Sequence, residues 1–161
     1  MRGGWGSYRP LRRALGVLHS TPDTSNRTRI SMSTEILVPI SPGELIDKIT
    51  ILQIKSARIT DPAKVANVRH ELSLLESTWR SSAYSTSDID MQWAALRRIN
   101  EKLWDVEDLL RDKERARTFD QEFIDLARAV YVTNDERAAV KREINTKLGS
   151  KIVEEKSYAA Y

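Results

Sequence analysis

From Ile89 to Leu110 the apolar residues fall at steps of four, three, three, four, three and four: Ile89, Trp93, Leu96, Ile99, Leu103, Val106 and Leu110. Only an α-helix brings such a set onto one face, and a stripe of this length needs a second helix to cover it. A stretch just upstream repeats the pattern: Val65, Val68, Leu72, Leu75 and Trp79 step by 3, 4, 3 and 4, the seam expected of antiparallel helix pairs.

The helix boundaries are written in cap chemistry. Ser41-Pro42-Gly43-Glu44 is the strongest local signal in the chain. Ser41 suits the N-cap, Pro42 sits at N1 where its missing N–H costs nothing, and Glu44 at N3 completes a capping box. Thr60-Asp61-Pro62 repeats the stop and restart. Ser81 to Ser87 is a Ser/Thr-rich linker, Thr118 with Gln121 offers another capping box, and Gly149 ends the last helix as a C′ residue. The spacing therefore predicts an all-α antiparallel bundle of about four helices, about 42–59, 62–80, 88–116 and 119–148. Short extended segments flank it, Ile36-Leu37-Val38-Pro39-Ile40 before the first helix, where Pro39 forbids helix, and Lys151-Ile152-Val153-Glu154-Glu155 after the last. The first helix places Leu45, Ile49, Leu52 and Ile59 on one face and Ile51 and Ile54 on the other, so it is expected at the centre.

The formal net charge of +3 belongs to the first residues. Residues 1–31 carry six arginines and one acid, a net of +5, while the other 130 residues hold 20 Lys+Arg against 22 Asp+Glu, a net of −2. The folded part is thus near neutral, which argues against a nucleic-acid surface. Residues 1–31 show no periodicity and read as a disordered basic tail or as an extension upstream of a start at Met32; an Arg-rich transit peptide has the same composition. The expected domain is 32–161. Val17-Leu18 centres the only apolar stretch near the N-terminus, far too short to span a membrane. There is no cysteine, which excludes disulfides and thiolate chemistry and suits a cytoplasmic protein.

Candidate chemistry is sparse. His70 has no second histidine at the metalloprotease spacing and no Glu-x-x-His partner, so neither metal nor cofactor is expected. Asp105, Glu107, Asp108 and Asp112 are interleaved with Arg111, Lys113 and Arg115 and read as a solvated ion-pair face. The polar residues on the helix edges carry more information. In the fourth helix the stripe Phe123, Ala127, Val130 runs into Asn134 and then Lys141 before Ile144, with Tyr131 and Arg137 beside Asn134. The third helix carries Asn100, Trp104, Glu107 and Arg111 at steps of 4, 3 and 4, and the first carries Asp47, Lys48, Lys55 and Arg58 along one edge. Facing one another, these make a semi-buried network that either fixes register or lines a ligand pocket between helices one, three and four. Asp47 and Glu107 are the expected acceptors for Asn134 and Arg137.

The run from Pro39 to Leu52 (PISPGELIDKITIL), the Asn100–Asp108 stretch with Leu103-Trp104-Asp105, Tyr131-x-Thr133-Asn134-Asp135 and Gly149–Tyr158 resemble a bacterial family of short proteins classed as a domain of unknown function. The resemblance covers roughly residues 35–158 and implies a helical fold without assigning catalytic residues. Ile46-Asp47-x-Ile49 with Leu52 and Arg58 also resembles the first helix of the all-helical chorismate mutases. Gly43 stands where those enzymes place an arginine, and their lysine-bearing stretch after the first helix is missing, so the cations that would stabilise a dicarboxylate transition state are absent. The leading expectation is a non-enzymatic interaction module. Trp79, Trp93 and Trp104, with a first helix apolar on two sides, further suggest a homodimer.

Overall fold

A computed structural model describes residues 36–157. The chain divides into two units, Met1–Leu37 and Val38–Tyr161, and the four helices of the described residues belong to the second. The expected basic tail, 1–31, lies outside the described residues. The helices are α1 (Pro42–Arg58), α2 (Pro62–Arg80), α3 (Asp90–Ala116) and α4 (Gln121–Lys147). Among the described residues there is no strand, and no helix is long and apolar enough to cross a membrane. The architecture is an all-α bundle.

Local chemistry sets most of the ends. The Ser41 hydroxyl accepts from the Glu44 N–H at 3.2 Å, and Asp61 accepts from Ala63 and Lys64. Gly149, at φ 63°, follows the last helix in the left-handed conformation that glycine adopts without a Cβ penalty. Three details differ from the expectation. Glu44 does not turn back to Ser41; its carboxylate pairs with Lys141. α3 starts at Asp90 behind Ile89, which makes no side-chain cap. Ile89 is buried, so core packing, not a cap, fixes where this helix begins. Asp120 caps α4 through the Phe123 N–H, whereas Thr118 donates to the Ala116 carbonyl and Gln121 to Asp125. A carboxylate also suits the positive end of the helix better than a hydroxyl does.

α1 is the centre of the molecule: it packs against α2, α3 and α4, and α3 and α4 pack along each other. Its apolar residues Leu45, Ile46, Ile49, Leu52 and Ile54 are all buried. Ile46, Ile89, Leu96 and Ile144 form the core, with Trp79, Trp93, Val140 and Leu148 against it. α2 is different. Its backbone approaches α1 alone, it reaches α3 through an edge-on stack of Trp79 on Trp93 at 5.6 Å, and none of its 19 residues is buried.

Length decides the rest. At 1.5 Å per residue α1 is about 26 Å long and α3 and α4 about 40 Å each. The α3–α4 hairpin therefore outreaches α1, and from Trp104 to Val132 no residue is buried. Where this two-helix arm leaves the body, the edges of α1, α3 and α4 enclose a groove.

Candidate functional site

The polar edges of three helices converge beneath that groove. Asp47 on α1 is wholly buried and takes a two-pronged ion pair from Arg137 on α4: Nε donates to Oδ1 at 2.8 Å and Nη2 donates to Oδ2. Asn100 on α3 spends both amide hydrogens on α1, one on Asp47 Oδ1 at 2.8 Å and one on Thr50 Oγ1 at 2.9 Å. The Thr50 hydroxyl donates to the Asp47 carbonyl, so its oxygen has to accept from Asn100, which fixes the orientation of that amide. Arg137 Nη1 reaches Asn134 Oδ1 at 3.4 Å, while Asn134 donates to the Val130 carbonyl. The Arg137 guanidinium is held more firmly protonated than usual, chiefly by its bonds to Asp47, against the opposing effect of burial. A charge taken out of water this far demands a partner, and Asp47, Asn100 and Arg137 supply one another.

A second cluster closes the neighbouring turn of α1. The Gly43 N–H donates to Asn145 Oδ1 at 2.8 Å. Lys141, buried on α4, is gripped by Glu44 at 2.7 Å and by Glu154 at 3.0 Å. Through that lysine, and through Lys156 paired with Asp135, the segment after α4 is tied back along the helix. Burial alone would lower the Lys141 pKa, but the bonds to Glu44 and Glu154 outweigh it and the group is raised. A raised lysine stabilises the fold below its unfolded pKa, about 10.4, and the contribution disappears as pH climbs through the folded value. Melting temperatures recorded upward from pH 9 are therefore expected to fall more steeply for the wild type than for Lys141→Met. Parallel curves would show that the lysine is not coupled to folding.

The groove holds about 520 Å³ and is lined by Ile51 of α1, Asn100, Leu103, Trp104, Glu107, Asp108 and Arg111 of α3, and Asn134 and Arg137 of α4. Of the residues expected on the polar edges, Asp47, Asn100, Asn134 and Arg137 meet in one network, and Trp104 and Glu107 stand on the groove wall above it. Glu107 pairs with Arg111 at 2.8 Å, not with Arg137 as expected, because two turns of α3 separate it from the Asn100 level. Arg58 pairs with Asp105 and lies 5.9 Å from the Trp104 ring. Lys48 is exposed, Lys55 half-buried, and neither lines the groove. Tyr131 is exposed on α4 outside it. His70 is exposed, and among the described residues no three His, Asp or Glu side chains stand close enough to hold a metal ion.

The sequence reading gives Thr50, Thr133, Asn145 and Gly43 no place among the site residues, and all four are buried. A signal existed for two of them: Thr50 interrupts the apolar run Ile49–Leu52, and Asn145 follows Ile144 directly. Thr133 Oγ1 and Asn145 Nδ2 are buried with no hydrogen-bond partner.

Comparison with curated proteins and with solved structures finds no match to either. One family model does match, over residues 36–161, and the chain belongs to that family, described as a family of unknown function (DUF6165).

Proposed function

We propose that the protein is a non-enzymatic helical interaction module of the cytoplasm that pairs with a second copy of itself. The observation that carries this reading is α2, a 19-residue helix with no buried residue although Val65, Val68, Leu72, Leu75 and Trp79 give it a continuous apolar line. A helix held on one side only, with Leu74 exposed on its open side, gains stability from a partner that covers its flanks. Exposed Leu109, Phe119 and Ile124 on the α3–α4 arm point the same way. The sequence supports a scaffold over a mutase: Gly43 stands where those enzymes place an arginine, and the lysine-bearing stretch after their first helix is missing.

Sedimentation of the full chain across the micromolar range tests this. A dimer is expected, and Leu74→Glu is expected to shift it toward monomer, with the far-UV spectrum kept and the melting temperature lowered and no longer dependent on protein concentration. A wild type that sediments as a monomer throughout that range would refute self-association.

A further inference from the structure

We propose that the groove at the root of the α3–α4 arm binds a free basic α-amino acid, with L-lysine as its simplest representative. This goes beyond self-association and depends on different residues.

Three observations define the occupant. First, Asp47 takes the Nε and Nη2 side of Arg137, and among the described residues the Nη1 side meets only Asn134, at 3.4 Å. A guanidinium anchored on one edge presents the other, already oriented, to a carboxylate entering the groove that it lines. Second, Asn100 is 5% exposed and its two amide hydrogens are spent, so its free polar atom is the carbonyl oxygen. That oxygen carries no bond from the described residues, and Asn100 lines the same groove beside Arg137. A donor and an acceptor lining one groove suit the carboxylate and ammonium of an amino-acid head group. Third, seven residues further along α3, a rise of about 10 Å, Glu107 and Asp108 share one arginine, Arg111, at 2.8 and 3.9 Å. That end of the groove is therefore one charge short of neutral. Ile51, Leu103 and Trp104 line the space between.

The complement is a molecule with an α-carboxylate for Arg137, an α-ammonium for Asn100, an apolar stem and a terminal cation for Glu107 and Asp108. The four-carbon stem of lysine spans such a gap when its ends hydrogen-bond at normal distances. Charge agrees as well: Arg111 and Arg137 against Asp47, Glu107 and Asp108 leave the site at −1, and the ligand carries +1.

Titration calorimetry of the full chain, together with the Trp104 indole N–H resonance, reads this directly. L-Lysine is expected to saturate in the millimolar range or below. Three relatives each delete one contact: norleucine lacks the terminal ammonium, cadaverine the carboxylate, and Nα-acetyl-lysine the free α-ammonium. Each is expected to bind at least about tenfold more weakly, the loss that follows when one charged hydrogen bond goes unmade. Removing Arg137 endangers the fold, so the protein-side tests avoid it. Glu107→Gln with Asp108→Asn, both at the surface, is expected to bring lysine down to the norleucine level with the melting temperature kept. Ile51→Trp is expected to fill the groove and abolish binding. The proposal is overturned if L-lysine gives no saturable response through the millimolar range or if the four compounds bind equally. It is equally overturned if lysine affinity survives either variant.

Discussion

Replacing Arg137 by alanine is expected to destabilise the protein by about 3 kcal/mol, because it strands the Asp47 carboxylate in the interior with Asn100 as its remaining side-chain partner. The reverse substitution is expected to be milder. The Arg137 side chain is 27% exposed against 1% for Asp47, so an arginine that loses its partner turns toward water while the aspartate has nowhere to turn. Asp47→Ala should therefore cost about 1–2 kcal/mol, mostly the lost interactions of Asn100 and Arg137. Removing both charges together, as Asp47→Leu with Arg137→Met, should bring stability back to within about 1 kcal/mol of the wild type, since apolar groups of similar size often replace a buried ion pair without loss. Urea denaturation of the four proteins measures all three differences, provided the slope with denaturant stays constant. An Arg137→Ala protein within about 0.5 kcal/mol of the wild type would mean that Asp47 is solvated and that no buried pair exists to break.

That asymmetry also marks how far the sequence alone can be read. Helical periodicity and cap residues act locally, so α2 is delimited to the residue by Asp61-Pro62 and by the Ser-rich stretch after Arg80. The central place of α1 follows from its apolar residues on two sides, which no single neighbour could cover. Asp47, Asn100 and Arg137 stand out because each occupies an edge next to a seam, and Asn134 because it interrupts a seam. What periodicity cannot supply is the relative height of the helices. Glu107 and Asp47 are equal candidates for Arg137 by spacing, and only the register of α4 against α1 and α3 brings Asp47 to its level and leaves Glu107 with Arg111, two turns along α3 from Asn100. Cap residues fail for a related reason where tertiary packing competes: burial of Ile89 sets the start of α3 in place of any cap. Nor does anything local reveal that α2 stays uncovered, since its stripe looks as complete as that of α3.

Gly43 depends on the same inter-helix register, and it yields the second large effect, with a sign opposite to the usual one. Glycine within the first turn of a helix is ordinarily a weak choice, and alanine there gains up to about 1 kcal/mol through lower unfolded-state entropy and better propensity. Here a Cβ on residue 43 would lie 2.6 Å from the Lys141 carbonyl oxygen and 2.9 Å from Asn145 Oδ1. The first of those atoms is helical backbone within α4 and cannot swing aside. α1 would have to move away from α4, and three interactions would lengthen with it: the Gly43 N–H bond to Asn145, the Glu44–Lys141 pair, and the Asp47–Arg137 pair one turn further along. Gly43→Ala is therefore expected to destabilise by about 2–3 kcal/mol, in the range of overpacking a tight contact. Relief should come from the partner side only in part: Asn145→Ala removes the 2.9 Å contact but leaves the carbonyl, so the double variant should remain well below Asn145→Ala alone. Thermal and urea unfolding of the three variants decide it. Stabilisation by Gly43→Ala, the outcome that helix propensity alone predicts, would place α1 farther from α4 than the Gly43–Asn145 hydrogen bond allows.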